Sequence, residues 1–81
     1  MRDIRIKITK EHIRKGVRGS ACECPIALAL KETLITNNVH VDMDGMRVNH
    51  VSYALDKKDR KFIERFDAGM PVRPYDFDLG R

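Results

Sequence analysis

Gly16-Val17-Arg18-Gly19-Ser20-Ala21-Cys22-Glu23-Cys24-Pro25-Ile26-Ala27-Leu28-Ala29-Leu30 is the stretch of sequence that decides the fold. Its second part is apolar around nearly the whole helical circumference, which is typical of a buried helix. Pro25 suits the first helical position, because the N–H that proline lacks would have no partner there. The apolar pattern continues to Leu34, and Asn37-Asn38 can supply the left-handed cap that ends the helix. The sequence therefore predicts one central helix that the other elements cover.

Length and composition restrict the class of protein. The 81 residues suffice for one domain, so we expect residues 1–81 to form a single unit. With 42% hydrophobic and 35% charged residues, the chain is neither a disordered nor a membrane sequence. Its longest uninterrupted apolar run, residues 26–30, is far shorter than the roughly 20 residues that cross a bilayer. No apolar signal segment follows Met1, so the sequence predicts a cytoplasmic protein without membrane association.

The two ends of the chain predict a pair of neighbouring strands. Isoleucines alternate with basic residues over residues 4–8, and apolar residues alternate with aspartates over residues 75–79. Pairing these strands matches an apolar face with an apolar face and a basic face with an acidic face. Thr9 follows the first strand and can cap a short helix over residues 10–17.

The middle of the chain predicts a β-hairpin. Residues 39–43 and 46–48 alternate on either side of Asp44-Gly45, a dipeptide typical of a type I′ turn. The predicted cross-strand pairs are Val41 with Val48, Asp42 with Arg47, and Met43 with Met46. The alternation then changes phase, which indicates either a β-bulge near Asn49-His50 or the end of the strand.

A third helix precedes the last strand. Residues 57–68 follow the N-cap residue Asp56 and bury Phe62, Ile63 and Phe66 on one face. The element order is then β-α-α-β-β-α-β. This order and the one-sided strands predict an α+β fold, with a small, mainly antiparallel sheet of about four strands and helices packed on one face.

The loop that leads into the central helix is the first candidate binding site. Its candidate residues for an anion or a partner are Arg14, Lys15, Arg18, Ser20, Cys22 and Cys24. Free N–H groups at a helix start attract anions, and the same dipole would lower the pKa of the Cys24 thiol. The alternative is a buried cysteine behind a glycine-rich connector, since free cysteines are among the most buried residues. We interpret both cysteines as thiols in a reducing compartment.

Metal binding and catalysis have little support in the sequence. A structural zinc site uses two local pairs of ligands, whereas Cys22-x-Cys24 has no second pair. The spacing is also neither a P-loop nor a Cys-x-x-Cys redox motif. We therefore expect no metal, no cofactor and no enzymatic activity.

The third helix is the second candidate binding site. Its basic residues are Lys57, Lys58, Arg60, Lys61 and Arg65. They could follow the phosphates of a nucleic acid or contact an acidic partner, and the net charge of +4 permits both. Acidic residues are interleaved with them, so the alternative is a solvated helix face of mixed charge.

Both ends of the chain resemble a family of small proteins from bacteriophage and bacterial genomes. The first block is Ile8-Thr9-Lys10-Glu11-His12-Ile13, then Gly16, Gly19 and Cys24-Pro25-Ile26-Ala27-Leu28-Ala29-Leu30. The second block is Phe62-Ile63, Phe66-Asp67, Gly69, Pro71-Val72, Pro74-Tyr75, Phe77 and Leu79. The resemblance implies a phage or prophage accessory protein in the host cytoplasm. Such proteins commonly act by binding, for example as inhibitors of host enzymes or of defence complexes.

These observations predict a small non-enzymatic protein that binds and modulates a host or defence protein. The alternative is a nucleic-acid-binding module that uses the basic residues of the 14–18 loop and of the 57–65 helix. A third hypothesis is an anion-binding or thiol-dependent protein that uses Cys24. An exposed edge strand could also mediate a homodimer.

Overall fold

The computed structural model describes residues 4–42 and 44–79. Its elements are β1 (Ile4–Ile8), α1 (Lys10–Lys15), α2 (Pro25–Leu34), β2 (Val39–Asp42), β3 (Gly45–Val48), β4 (Val51–Tyr53), α3 (Lys57–Asp67) and β5 (Tyr75–Leu79). The strands form two antiparallel sheets, β1-β5 and β2-β3-β4. The predicted α+β class and antiparallel pairing are confirmed. The described strands number five rather than about four, and they divide between two sheets instead of forming one.

The predicted pairing of the terminal strands is confirmed. Ile6 lies opposite Phe77, and both side chains are buried in the core. On the other face, Arg5 contacts Asp78 at 3.1 Å and Asp76 at 3.4 Å. The apolar faces and the opposite charges therefore meet as the alternation predicts.

The central helix α2 is buried as predicted. Ile26, Ala27, Ala29 and Leu30 have no exposed surface, and the helix packs against α1, β1 and β2. The helix therefore joins the two sheets. Close packing at its start depends on Gly16, because a Cβ there would lie 2.7 Å from the Pro25 side chain.

The end of α2 differs from the prediction. Ile35 is the C-cap, with φ 50° and ψ 57°, and its N–H donates to the Lys31 carbonyl. The helix therefore ends before Asn37-Asn38, although β-branched residues disfavour the left-handed region. Helix α1 likewise ends at Lys15, shorter than the predicted residues 10–17.

The register of the β2–β3 hairpin corrects the prediction. The observed pairs are Val39–Val48, His40–Arg47, Val41–Met46 and Asp42–Gly45. The predicted pairs of Val41 with Val48 and of Asp42 with Arg47 are wrong, and the third predicted pair includes Met43, which lies outside the described residues. The strands have slid by two residues, so Val41 and Val48 still face the core.

The side chain of Asp42 explains the observed register. Its Oδ1 atom accepts hydrogen bonds from the N–H groups of Asp44 at 2.8 Å and Gly45 at 3.2 Å. Gly45 is the first residue of β3. A glycine is required there because a Cβ would lie 2.9 Å from the Tyr53 carbonyl oxygen on β4. The glycine thus permits the close approach of two strands and does not sit at the centre of the turn.

A second hairpin follows at Asn49-His50. These residues have φ values of 49° and 72°, and Val48 lies opposite Val51. Two left-handed residues between paired strands are typical of a type I′ turn. The predicted β-bulge is wrong, and the alternative that the strand ends there is confirmed.

Helix α3 buries the predicted residues Phe62, Ile63 and Phe66. Asp59 is also buried, and it accepts a hydrogen bond of 2.6 Å from the Tyr75 hydroxyl. Its second oxygen accepts from the Asp56 N–H at 3.2 Å, so Asp59 secures the start of the helix. Among residues 4–42 and 44–79, no helix has the length and apolar character that spanning a membrane requires.

Candidate functional site

The predicted anion loop begins with two cations that already have a partner. On α1, Arg14 forms an ion pair with Glu11, and the Lys15 Nζ lies 3.5 Å from the second carboxylate oxygen of the same residue. Both contacts join residues three or four positions apart on the exposed surface of one helix. The single carboxylate of Glu11 thus offsets one of the two positive charges within α1.

The backbone donors of the loop are also used within the protein. The Gly19 N–H donates to the Asp67 carboxylate at 2.9 Å, and the Val17 N–H donates to the Glu23 carbonyl at 2.8 Å. The Glu23 N–H donates to the Ser20 hydroxyl at 3.1 Å. Hydrogen bonds within the chain thus occupy three of the N–H groups that an anion site at this loop could use.

The structure separates the two cysteines. Cys22 is exposed, whereas Cys24 is buried and caps α2, with its Sγ accepting from the Ala27 N–H at 3.4 Å. Burial raises the pKa of the Cys24 thiol, and this effect outweighs the lowering by the Ala27 N–H. The expected lowering of that pKa is therefore wrong. A buried thiol with a raised pKa is a weak nucleophile, which favours a packing and capping role for Cys24.

Arg18 is the loop residue that reaches α3. A Cβ on Gly69, just beyond the end of α3, would lie 3.3 Å from the Arg18 guanidinium. The nearby bond from Gly19 to Asp67 ties the same loop to the last residue of α3. The predicted loop residues thus do not form one cluster: Arg18 meets the end of α3, and Arg14 and Lys15 stay on α1.

The five predicted basic residues of α3 are all exposed, as an accessible binding surface requires. Lys57, Lys61 and Arg65 are four residues apart, so they follow one face of the helix at intervals of about 6 Å. Lys58 lies beside them at the first turn. We call these four residues the basic face of α3. Arg60 lies on the other side of the helix.

The basic face keeps its charge available. Among the described residues, none of its four members forms an ion pair. The Lys58 ammonium lies 5.7 Å from the centre of the Tyr75 ring, a cation–π contact that leaves its charge in place. The helix beneath is anchored in the core by its buried aromatic residues. Within the described part of the chain, the face is thus an array of exposed cations without ion pairs.

A groove continues this surface beyond the helix. It has a volume of about 450 Å³ and is lined by Phe62, Arg65, Pro71, Val72 and Arg73. We call it the α3 groove. Arg73 is a binding candidate that the sequence prediction missed. Arg73 stands between Pro71 and Pro74, shortly after the basic helix in the sequence, and this position is the signal that could have marked it as a binding candidate.

A second hollow, of about 290 Å³, lies on the outer face of β2, β3 and β4. His40 contacts Asp42 at 3.2 Å there, and Ser52 belongs to the same lining. Arg47 on β3 lies between His40 on β2 and Ser52 on β4. The backbones of β2 and β4 are therefore about 10 Å apart, which is two strand spacings. In the described part of the chain, the His40 imidazole contacts Asp42 and forms no hydrogen bond with the Ser52 hydroxyl.

Among residues 4–42 and 44–79, no group of three or more His, Cys, Asp or Glu side chains is arranged to hold a metal ion. Comparisons of the chain with protein-family models, with curated proteins and with solved structures find no match. Function must therefore be inferred from the geometry. The basic face of α3 and the adjoining α3 groove are the candidate site.

Proposed function

We propose that this protein is a non-enzymatic binding protein that docks on an acidic surface of a host or defence protein. The observation that carries the proposal is the basic face of α3, where Lys57, Lys58, Lys61 and Arg65 are exposed and have no ion pair among the described residues. Fixed cations complementary to a partner's carboxylates accelerate encounter and set the binding orientation.

The apolar surface beside these cations favours a protein as the partner. Phe62 and Val72 line the adjoining groove, and Met70 has half of its surface exposed. Arginine, methionine and aromatic side chains together are the composition enriched at protein interfaces. The resemblance of the chain to phage proteins is what suggests that the partner belongs to a host cell or its defence system.

A charge-reversal experiment tests the proposal. The immobilised protein is incubated with nuclease-treated bacterial lysate at low salt, and retained proteins are identified by mass spectrometry. We expect Lys57→Glu with Lys61→Glu to reduce retention of the partner at least tenfold, because two attractive charges become repulsive. The matched control, Lys10→Glu with Arg47→Glu, makes the same change in net charge at exposed cations outside α3.

Equal loss of retention in both double variants would contradict the proposal, since net charge alone would then account for binding. Retention that survives the α3 reversal would contradict it as well.

Nucleic-acid binding is the second candidate function. The specific observation is the spacing of Lys57, Lys61 and Arg65 at about 6 Å along one helix face, which lets successive cations contact a phosphate backbone. A gel shift with duplex DNA and with RNA at two salt concentrations decides it. A complex that weakens steeply with salt and is lost in the Lys57→Glu, Lys61→Glu variant supports this function, and no shift at low salt excludes it.

A further inference from the structure

We propose that the α3 groove binds a short extended peptide in which a carboxylate side chain lies next to an apolar side chain. The inference rests on the proposed function, and it specifies what the partner protein presents. Three properties of the groove support it: an apolar floor and, among the described residues, two guanidinium groups without ion pairs and two backbone N–H groups without hydrogen bonds.

The two guanidinium groups define the charge of the peptide. Arg65 and Arg73 line the groove from α3 and from the segment that follows it. Both are exposed, and neither forms an ion pair in the described part of the chain. A guanidinium binds a carboxylate through two parallel hydrogen bonds, which a lysine cannot do. The groove is therefore complementary to an acidic side chain.

The floor of the groove defines the neighbouring side chain. Phe62 is 8% exposed, and its ring lies 5.0 Å from the Tyr75 ring and 6.4 Å from the Phe66 ring. Val72 is half-buried and packs against the core. This floor is apolar and held in place by the core, so it suits an apolar side chain of the peptide. A volume of about 450 Å³ is in the range of sites that hold a few side chains.

The backbone of the groove can bind an extended chain. Pro71 and Pro74 have no N–H, and they favour an extended conformation in the residues before them. Between them, the N–H groups of Val72 and Arg73 have no hydrogen bond among the described residues. Successive N–H groups of an extended segment point to opposite edges, so an extended peptide laid alongside this one could accept from one of these two donors, as in recognition by strand addition.

These properties together favour a peptide over a nucleic acid. The aromatic ring of the floor is buried, so it offers little face for a base to stack on, whereas an aliphatic side chain needs only an apolar depression. Backbone donors add affinity for a polypeptide through main-chain pairing.

The test measures direct binding of a defined peptide by fluorescence polarisation. The probe is a fluorescein-labelled six-residue peptide in which glutamates alternate with leucines. Two matched peptides replace every glutamate with glutamine or every leucine with alanine. We expect the parent peptide to bind at least tenfold more tightly than either. Equal affinity for the parent and the glutamine peptide would overturn the role assigned to the arginines.

The matching protein variants locate the site. Arg65→Ala with Arg73→Ala should weaken binding of the parent peptide at least tenfold, while Lys10→Ala with Arg47→Ala should leave it within twofold. Thermal melts of both double variants establish that they fold. Amide NMR signals of Val72 and Arg73 should shift on addition of the peptide. Unchanged signals there, or undiminished affinity of the α3-groove variant, would overturn the inference.

Failure of this inference is distinguishable from failure of the proposed function. The peptide assay varies Arg65 and Arg73, whereas the retention assay varies Lys57 and Lys61. A partner that is retained through the lysines but is insensitive to the arginine variants would overturn the peptide groove alone. Loss of both dependences would overturn the proposed function as well.

Discussion

At the scale of single residues, the buried contact between Tyr75 and Asp59 has the clearest energetic consequence. The Tyr75 hydroxyl donates to the Asp59 carboxylate at 2.6 Å, and Asp59 is 3% exposed. We expect Tyr75→Phe to lower the free energy of unfolding by about 1.5–3 kcal/mol, the usual worth of a hydrogen bond to a charged group. Urea denaturation at neutral pH measures the loss. A loss below about 0.5 kcal/mol would contradict this assignment.

The same contact makes stability depend on pH in the alkaline range. Burial, and next the hydrogen bond to Asp59, raise the pKa of Tyr75 above that of a free tyrosine. At a pH above about 10, the unfolded chain therefore loses the phenolic proton while the folded protein keeps it. The contribution of this proton to the free energy of unfolding is complete below that pH and decreases as the pH rises further. The free energy of unfolding, measured by urea denaturation at several pH values above about 10, should therefore decrease less steeply with pH for Tyr75→Phe than for the natural protein.

Cys24 shows what a sequence leaves open at this scale. Its place before Pro25 sets it at the start of the predicted helix, and the structure shows that it is the N-cap. The helix dipole and burial shift the pKa of a thiol in opposite directions, and only three-dimensional packing decides which is larger. Local sequence thus predicts the position of Cys24 at the helix start but neither its capping hydrogen bond nor its chemistry.

At the scale of elements, the end of α2 contains a strained residue. Ile35 has a φ of 50° and is 90% exposed, so its side chain adds almost no packing. We expect Ile35→Gly to raise the free energy of unfolding by about 1 kcal/mol, because glycine adopts this conformation without a steric cost. Thermal denaturation measures the change. The control, Lys31→Gly inside the helix, should instead lower stability by about 0.5–1 kcal/mol. The same sign for both variants would contradict the assignment.

Elements with a strong local pattern could be predicted from sequence, and those decided by a contact between strands could not. The terminal strands, α2 and α3 follow from alternation or helical spacing alone. The β2–β3 hairpin was misplaced because Asp44-Gly45 is a strong turn signal in isolation. The structure instead uses Asp42 to close the turn and sets Gly45 against the Tyr53 carbonyl. That choice depends on β4, whose position no short window of sequence reveals.

At the scale of the whole molecule, the two sheets share one helix and form one core. Ile6 is fully buried on β1, and α2 packs against both β1 and β2. We expect Ile6→Ala to lower the free energy of unfolding by about 2–5 kcal/mol, a large part of the roughly 4–12 kcal/mol typical of this chain length. Near-UV and far-UV circular dichroism should report a single coincident transition. Separate transitions would mean that the sheets unfold independently.

Lys7→Ala, on the exposed side of β1, should change the free energy of unfolding by less than about 0.5 kcal/mol.

The candidate site was predictable only in part at this scale. The exposure of the basic residues of α3 follows from helical periodicity. The groove does not, because it forms where the segment after α3 turns back along the helix and brings Arg73 beside Arg65. The spacing of Glu11 with Arg14 and Lys15 on one helix could have indicated their ion pairs, whereas nothing near Gly19 in the sequence indicates that Asp67 would accept from its N–H. Binding surfaces that combine distant segments require the fold before they can be recognised.

The pairing of β1 with β5 has a consequence for how this fold can be combined with other proteins. Ile4 lies opposite Leu79, so the outer ends of β1 and β5 are about 5 Å apart. A unit with adjoining entry and exit points can be spliced into a surface loop of another protein without forcing that loop open. The segment between the outer ends of β1 and β5, which carries the basic face of α3, could thus be grafted into a loop of another protein.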